Sequence, residues 1–178
     1  MNDIELLIHN IIDRNLWESE LILKRHEHLK YEGSIDTNLY YIISGSMRVY
    51  IRDNHDEHTI RFGYQGNLIT ALDSFITGQP SSFNIQVLKR TELKLIKKTR
   101  FFDFVRSHKD WQTTWTGALE LLILQQMERE KDLLTSSPKE RYLRVSARSP
   151  QLFQEIPNKY IAEYLRMTPE TLSRIKKS

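Results

Sequence analysis

Glu170 and Arg174 stand four residues apart, with Lys177 three further on, in the stretch TPETLSRIKK that begins at Thr168. On a helix that spacing puts all three on one face. A carboxylate there can accept from a cytosine amino group, and a guanidinium can bind guanine O6 and N7 together. Each contact is worth about 1–3 kcal/mol of base discrimination. Lys159, Thr168, Thr171, Ser173, Lys176 and Lys177 surround the pair with ammonium and hydroxyl donors suited to phosphates, which position a protein on DNA without specifying sequence. A helix of this kind can read double-stranded DNA.

The elements that must carry these groups are two short helices in residues 156–177, IPNKYIAEYLRMTPETLSRIKK. Thr168 is suited to cap the second through its hydroxyl. Pro169 fits the first helical position, where its missing amide hydrogen costs nothing, and Glu170 suits the positive end of the helix dipole. Leu172 and Ile175, three apart, then face inward. In the first helix Ile161 and Leu165 lie four apart, and Ala162 is small enough for close approach. The spacing admits two readings, a helix-turn-helix or a helical hairpin in a larger core. Charge divides unevenly along the 178 residues: from Ser137 onward nine Lys or Arg oppose four Glu, a balance of +5 in a chain whose net charge is +3. A basic end on a slightly acidic body is the asymmetry of a phosphate-binding surface or of a solvated basic face.

Upstream, residues 3–16 carry Ile4, Leu7, Ile8, Ile11 and Ile12 at amphipathic-helix spacing. The runs LILKRHEHLKYEG, LYYIISGSMRVYI, HTIRFGYQGNLI and NIQVLKRTELKLI read as strands broken by glycines, which predicts a sandwich or roll. A tight hairpin is expected around Gly45 and a polar tip over residues 52–57. From Phe101 the period changes. Trp111, Trp115, Leu119, Leu122, Gln126, Arg129 and Leu133 step by three or four, so a helix of several turns is expected. It is apolar on more than one face, being either buried in its own domain or packed between the body and a partner chain. The second arrangement is favoured, giving a homodimer with Trp115, Leu119, Leu122 and Gln126 on the dimer helix.

The strings I-A-x-Y-L and T-P-E-T-L-S-R, from Ile161 to Arg174, resemble the helix-turn-helix of the Crp/Fnr superfamily of bacterial transcription regulators. The order of Y-E-G-S-I-D, L-Y-Y-I-I-S-G-S-M-R-V-Y, the long helix and S-P-K-E-R-Y-L is similar to that superfamily over nearly the whole chain. The resemblance implies an α+β protein: a cyclic-nucleotide-binding-like jelly roll, or β-roll, over residues 1–110, a dimerisation helix over 111–136 and a helix-turn-helix domain over 137–178. Residues 137–144 become the first helix of the reading domain, capped by Ser137 or Ser136, with Pro138 in its first turn. With Ser178 last, the C-terminal wing of many members is expected to be absent. Pro169 stands where the best-known members often have Arg, so their operator is not expected here. Arg166 stands where glycine is usual in the turn, a strained position if left-handed.

The superfamily's nucleotide cassette, laid on GNLITALDSFITGQPSSFNI, puts its Gly-Glu pair at Thr70 and Ala71 and its Arg-Ser pair at Ser81 and Ser82. Both charged anchors are missing, and a phosphate without its guanidinium keeps its desolvation cost. The chain is therefore not expected to bind cyclic AMP or GMP. Thr70, Ala71, Ser81 and Ser82 are left as an effector pocket for a neutral or weakly anionic molecule, or as a filled one.

Other chemistry has little footing. Without cysteine there is no disulfide, thiolate zinc site or cysteine-ligated iron–sulfur cluster. Acids near the N-terminus and the lack of an apolar run of spanning length predict a cytoplasmic protein with no membrane association. Nucleophile-elbow, P-loop and dinucleotide motifs are missing, so neither an enzyme nor a bound cofactor is expected. His26 and His28, followed by Glu32, loosely resemble the metal-binding run of cupins, but Glu20 and Leu39 replace its flanking glycines. His55 and His58 belong to a polar hairpin tip. A cupin-like metal protein is thus a minor alternative and no metal site is assigned. The stronger alternative is an effector-binding or assembly module with a vestigial reading head. A working regulator implies DNA, a second copy, RNA polymerase and an unidentified small-molecule effector as partners.

Overall fold

The computed structural model describes residues 1–54 and 56–177; His55 and Ser178 lie outside them. The chain opens with α1 (Asp3–Asp13), whose N-terminus is closed by a reciprocal capping box. Asn2 Oδ1 accepts from the Glu5 amide at 2.9 Å, and Glu5 Oε2 accepts from the Asn2 amide at 3.0 Å. The helix stops three residues short of the expected end, and Asn15 turns left-handed at φ 50°.

Six antiparallel strands follow: β1 (Ser19–Leu23), β2 (His28–Lys30), β3 (Asn38–Asp53), β4 (Asp56–Tyr64), β5 (Leu68–Ile69) and β6 (Asn84–Lys97). The sheet runs β1-β6-β3-β4, with β2 also paired to β6 and β5 to β3. Alternating apolar residues of the long central pair bury Tyr40, Ile42, Met47, Val49, Ile85, Val87 and Leu93 in one core. The polar tip over 52–57 is present, with β3 and β4 pairing as far as Asp53 and Asp56.

The hairpin expected at Gly45 is not there. Strand β3 passes straight through it, and the β3–β6 register shifts between Ile42 and Met47. Gly45 sits at φ 91°, and a Cβ would strike the Arg90 carbonyl and Thr91 hydroxyl. The glycine is a bulge under close backbone approach, a use of glycine that local sequence does not separate from a turn. His26 likewise lies at a left-handed turn (φ 70°) before β2 begins, so His26 and His28 do not share a strand face.

A short helix, α2 (Leu72–Thr77), bridges β5 and β6. Then come α3 (Lys98–Arg106), the 26-residue α4 (Lys109–Leu134), α5 (Pro138–Arg148), α6 (Leu152–Glu155), α7 (Asn158–Tyr164) and α8 (Pro169–Lys177). α1, α3 and the first half of α4 enclose a second core of Leu7, Ile11, Phe75, Phe101, Phe104 and Val105, edged by Trp111 and Trp115. A third core joins Val145, Leu152, Ile156, Ile161, Ala162, Leu165 and Leu172 of the C-terminal helices to Phe62 and Leu88 of the sheet. The C-terminal helices therefore rest on the sheet rather than extend from it.

Candidate nucleic-acid interface

Thr168 caps α8 as expected: its Oγ1 accepts from the Thr171 amide at 3.2 Å, and its carbonyl accepts from Leu172 at 3.0 Å. Leu172 is buried and anchors the helix, while Pro169, Glu170, Ser173, Arg174, Lys176 and Lys177 are exposed. Thr171 is half-buried, and Lys159 is exposed on α7 beside the ring of Tyr160. Lys176 reaches Asn158 Oδ1 at 2.9 Å. The Glu170 carboxyl lies below its ordinary pKa because its own backbone amide and the Thr168 hydroxyl favour the anion, with Arg174 adding a smaller attraction. At neutral pH the face therefore presents an acceptor at Glu170 and a donor fork at Arg174.

The turn between α7 and α8 is held from beneath by Arg141 of α5, a side chain 8% exposed. Its Nε donates to the Leu165 carbonyl at 2.8 Å and its Nη2 to the Arg166 carbonyl at 3.1 Å. Its Nη1 donates to the carbonyls of Thr135 at 2.6 Å and Ser136 at 3.0 Å. One guanidinium thus ties the end of α4 to the α7–α8 turn. Arg166 is left-handed at φ 52°, the strained geometry that the missing glycine foreshadows. At the base of α5, fully buried Asp132 of α4 accepts from Arg144 Nε at 3.0 Å and pairs with Arg148 as well.

A second set of contacts docks the head on the sheet. Arg48 of β3, 3% exposed, pairs with Glu57 and donates to Gln86 Oε1 at 2.9 and 3.1 Å. Its guanidinium lies 4.2 Å from the ring centre of Tyr50 and 4.7 Å from that of Tyr160, the latter on α7. Glu163 of α7 lies 3.6 Å from Arg48 and accepts from Thr59 of β4. Lys89 and Glu155 add an ion pair at 3.3 Å. None of Arg48, Glu163, Arg141 or Asp132 stands out in the sequence; the one signal is an arginine inside the apolar run of β3.

Of the four candidate effector residues, Thr70 lines a cavity of about 430 Å³ bounded by Leu39, Val49, Ile69, Phe75, Phe83, Trp115, Ala118 and Leu122. Ala71, Ser81 and Ser82 do not line it. Ser81 Oγ donates to Asp73 Oδ1 and the Ser82 amide to Asp73 Oδ2, both at 2.7 Å, and the Ser74 amide bonds Asp73 Oδ1 at 2.8 Å. Asp73 therefore supplies an anion to the donors that a phosphate would need.

On α4, Trp115 packs edge-on against Phe101 and Phe102 at 5.1 and 5.8 Å. Leu122 and Gln126 also line that cavity, and Leu119 is half-buried. The exposed apolar residues are instead Ile123, Leu124, Met127 and Leu134, at 51–85%. Among the described residues no three His, Cys, Asp or Glu side chains are grouped to hold a metal, and no helix is long and apolar enough to cross a membrane.

The cyclic nucleotide-binding domain model matches residues 20–108, half of the chain, so the protein belongs to that domain family. Over nearly the whole chain its fold is similar to that of several solved bacterial proteins. FixK2 from Bradyrhizobium japonicum is 16% identical and superposes with a TM-score of 0.70 over 89% of this chain and 82% of its own. A CooA variant from Carboxydothermus hydrogenoformans is 17% identical, with a TM-score of 0.68 over 99% and 83%. The c-di-GMP responsive global regulator CLP from Xanthomonas campestris is 15% identical, with 0.67 over 95% and 90%. At these identities the likeness is one of fold. No curated protein matches the chain in sequence.

Proposed function

We propose that this chain is a dimeric DNA-binding transcription regulator in which residues 1–110 sense, 111–136 pair two copies and 137–178 read DNA. The observation that carries the proposal is the free face of α8. Leu172 fixes the helix from below, while Glu170, Ser173, Arg174, Lys176 and Lys177 all project to solvent. Lys176 also reaches Asn158 of α7, and the rest of the cluster faces outward. Two such helices placed one DNA turn apart by paired α4 helices would enter successive major grooves. The exposed stripe of Ile123, Leu124 and Met127 supports the pairing, because that much apolar surface on one helix is uncommon without a partner.

The effector in this scheme is a largely apolar molecule in the 430 Å³ cavity, a volume within the ordinary range of ligand sites. A cyclic nucleotide is disfavoured because Asp73 would have to leave Ser81 and Ser82 before a phosphate could approach. The deciding experiment is selection from a random duplex library with purified protein, followed by gel shift at moderate salt. Recovery of a two-fold symmetric site is expected. Failure to retard any fragment would leave an assembly module with a vestigial head. Calorimetry against cyclic AMP checks the second point, where micromolar affinity would contradict it.

A further inference from the structure

Arg61 of β4 and Arg129 of α4 line one cavity of about 590 Å³, open to solvent and bordered by the sheet, α1, α4, the α5–α6 connection and Tyr164 of α7. Arg129 is 9% exposed. Its Nη2 donates to the Tyr164 carbonyl at 2.7 Å, and the guanidinium lies 3.5 Å from the centre of the Tyr164 ring. Its Nη1 is buried with no hydrogen-bond partner among the described residues. The ion pairs nearby belong to Arg144 and Arg148 with Glu128 and Asp132; among the described residues neither Arg61 nor Arg129 has one. Burial pushes both guanidiniums below their ordinary pKa, yet an arginine stays charged in a protein.

A buried arginine with an orphaned N–H beside a half-buried second one leaves donors on this cavity that an anion would satisfy, since Asp132, which attracts Arg129, is already shared by Arg144 and Arg148. The carboxylate that lines the cavity, Glu5, is engaged by the Asn2 amide in the capping box of α1. Gln125 and Gln126 add amide donors along the same wall. We infer that this cavity binds a small molecule bearing a multiply charged oxyanion, a phosphoester or a polycarboxylate, gripped by Arg61 and Arg129. Planar guanidiniums suit both classes because their paired N–H groups match two oxygens of either.

The site adjoins the apolar cavity of the roll, with Ile4, Ile60, Arg61, Leu68, Leu122 and Gln126 bordering both, and differs from it in the second guanidinium, Arg129, which only this cavity carries. Its position gives the ligand leverage. Arg129 already holds the carbonyl of Tyr164, the last residue of α7, and Arg148, which also lines the cavity, belongs to α5. An oxyanion bound here bridges the sheet, the long helix and the reading head, and so stabilises the docked arrangement of all three.

Calorimetric titration of the full chain with sodium pyrophosphate and, separately, with citrate tests the inference. Saturable binding of one anion per chain is expected: pyrophosphate alone indicates a phosphoester, citrate alone a polycarboxylate. Arg61→Gln and Arg129→Gln should each weaken it about tenfold or more. If Arg129→Gln does not fold, the half-buried Arg61→Gln decides. Lys176→Gln and Lys177→Gln should leave the affinity unchanged. The inference is overturned by the absence of saturable binding to either anion at millimolar concentration, or by an affinity indifferent to both arginines. Loss of binding with the α8 lysines would also overturn it, because the anion would then sit on the DNA-reading face.

Discussion

Glu163 Oε1 accepts two hydrogen bonds from Thr59, one from its backbone amide at 2.7 Å and one from its hydroxyl at 2.6 Å. Thr59 is 5% exposed and lies just past the register shift between Val49 and Tyr50 in the β3–β4 ladder. At that shift the strand amide is freed from the sheet, and a carboxylate from the first helix of the helix-turn-helix takes it. The contact joins the sheet and the C-terminal helices through a group that would otherwise be an unsatisfied buried donor.

Replacing that carboxylate should therefore cost more than one hydrogen bond. Glu163→Ala strands the Thr59 amide and removes one of the two acidic partners of Arg48, an expected loss of about 2–3 kcal/mol in the docking of the head. Glu163→Gln, which keeps an acceptor and removes the charge, should cost less. Hydrogen exchange checks this directly. The Thr59 amide should lose protection in the alanine variant while amides at the centre of β3 keep theirs, and unchanged protection at Thr59 would show that the latch is not closed in solution.

Arg166 makes the opposite kind of prediction. Its left-handed backbone is strained for any residue with a Cβ, its side chain is exposed, and its carbonyl keeps its bond to Arg141 whatever the side chain is. Arg166→Gly should raise stability by about 1 kcal/mol, since the relief of steric strain exceeds the added entropy of the unfolded chain. Urea denaturation monitored in the C-terminal helices measures it; a loss of stability would mean that the arginine has a contact of its own.

The order of elements was legible in the sequence because each rests on local chemistry: the periodicity of α1 and α4, the β-rich runs, the Thr168 cap. Helical spacing likewise puts Glu170 and Arg174 on one face of α8, where both are exposed. At Gly45 a bulge and a hairpin use glycine for the same positive φ, and only the distant Arg90 and Thr91 distinguish them. Arg48, Arg141 and Glu163 were invisible because their partners lie far off in sequence. Glu163 and Thr59 are 104 residues apart, and no local pattern encodes that meeting. The α4 surface was half legible. Its excess of apolar residues pointed to two packing partners, but which of them faced the chain's own cavity depended on where Phe101 and Phe102 sit.

His28 gives the sheet a pH dependence of definite sign. Its Nε2 lies 3.0 Å from the Tyr50 hydroxyl and its ring 4.5 Å from that of Tyr31. Burial lowers its pKa below 6.5, the nearby Arg52 and Arg48 add to that, and Glu57 opposes it. A depressed histidine is stabilising in its neutral form, so the contribution is fully present above pH 6.5. It is lost as pH falls through that value and on through the folded-state pKa. The acid-side decline in melting temperature should be shallower in His28→Phe, which keeps the stacking surface without the titration. Identical slopes in the two proteins would exclude His28 as a contributor.

The stripe on α4 predicts the oligomeric state. Ile123, Leu124 and Met127 are all more than half exposed, and burying each against a second copy is worth roughly 1–2 kcal/mol per chain. Leu124→Glu should convert a dimer into a monomer in sedimentation velocity without lowering the melting temperature of the roll, because that side chain touches neither cavity. A variant that remains dimeric would place the interface elsewhere.

DNA binding separates the two roles assigned to α8. Arg174→Ala should flatten discrimination at one base position by about 1–3 kcal/mol while leaving affinity for unrelated duplex nearly intact. Lys177→Ala should instead weaken every duplex alike and lower the slope of log affinity against log salt by about one. The two outcomes are distinguishable in one experiment, a salt series on a selected site and on its single-base variants. If Arg174→Ala behaved as Lys177→Ala does, its guanidinium would be on a phosphate. Glu170, one helical turn nearer the N-terminus, would then be left alone at the groove floor, and an anion there without a cationic neighbour on the bases repels the phosphates on both sides. Retained discrimination against single-base variants in Lys177→Ala, with its loss in Arg174→Ala, is therefore the outcome expected of a reader rather than a general anchor.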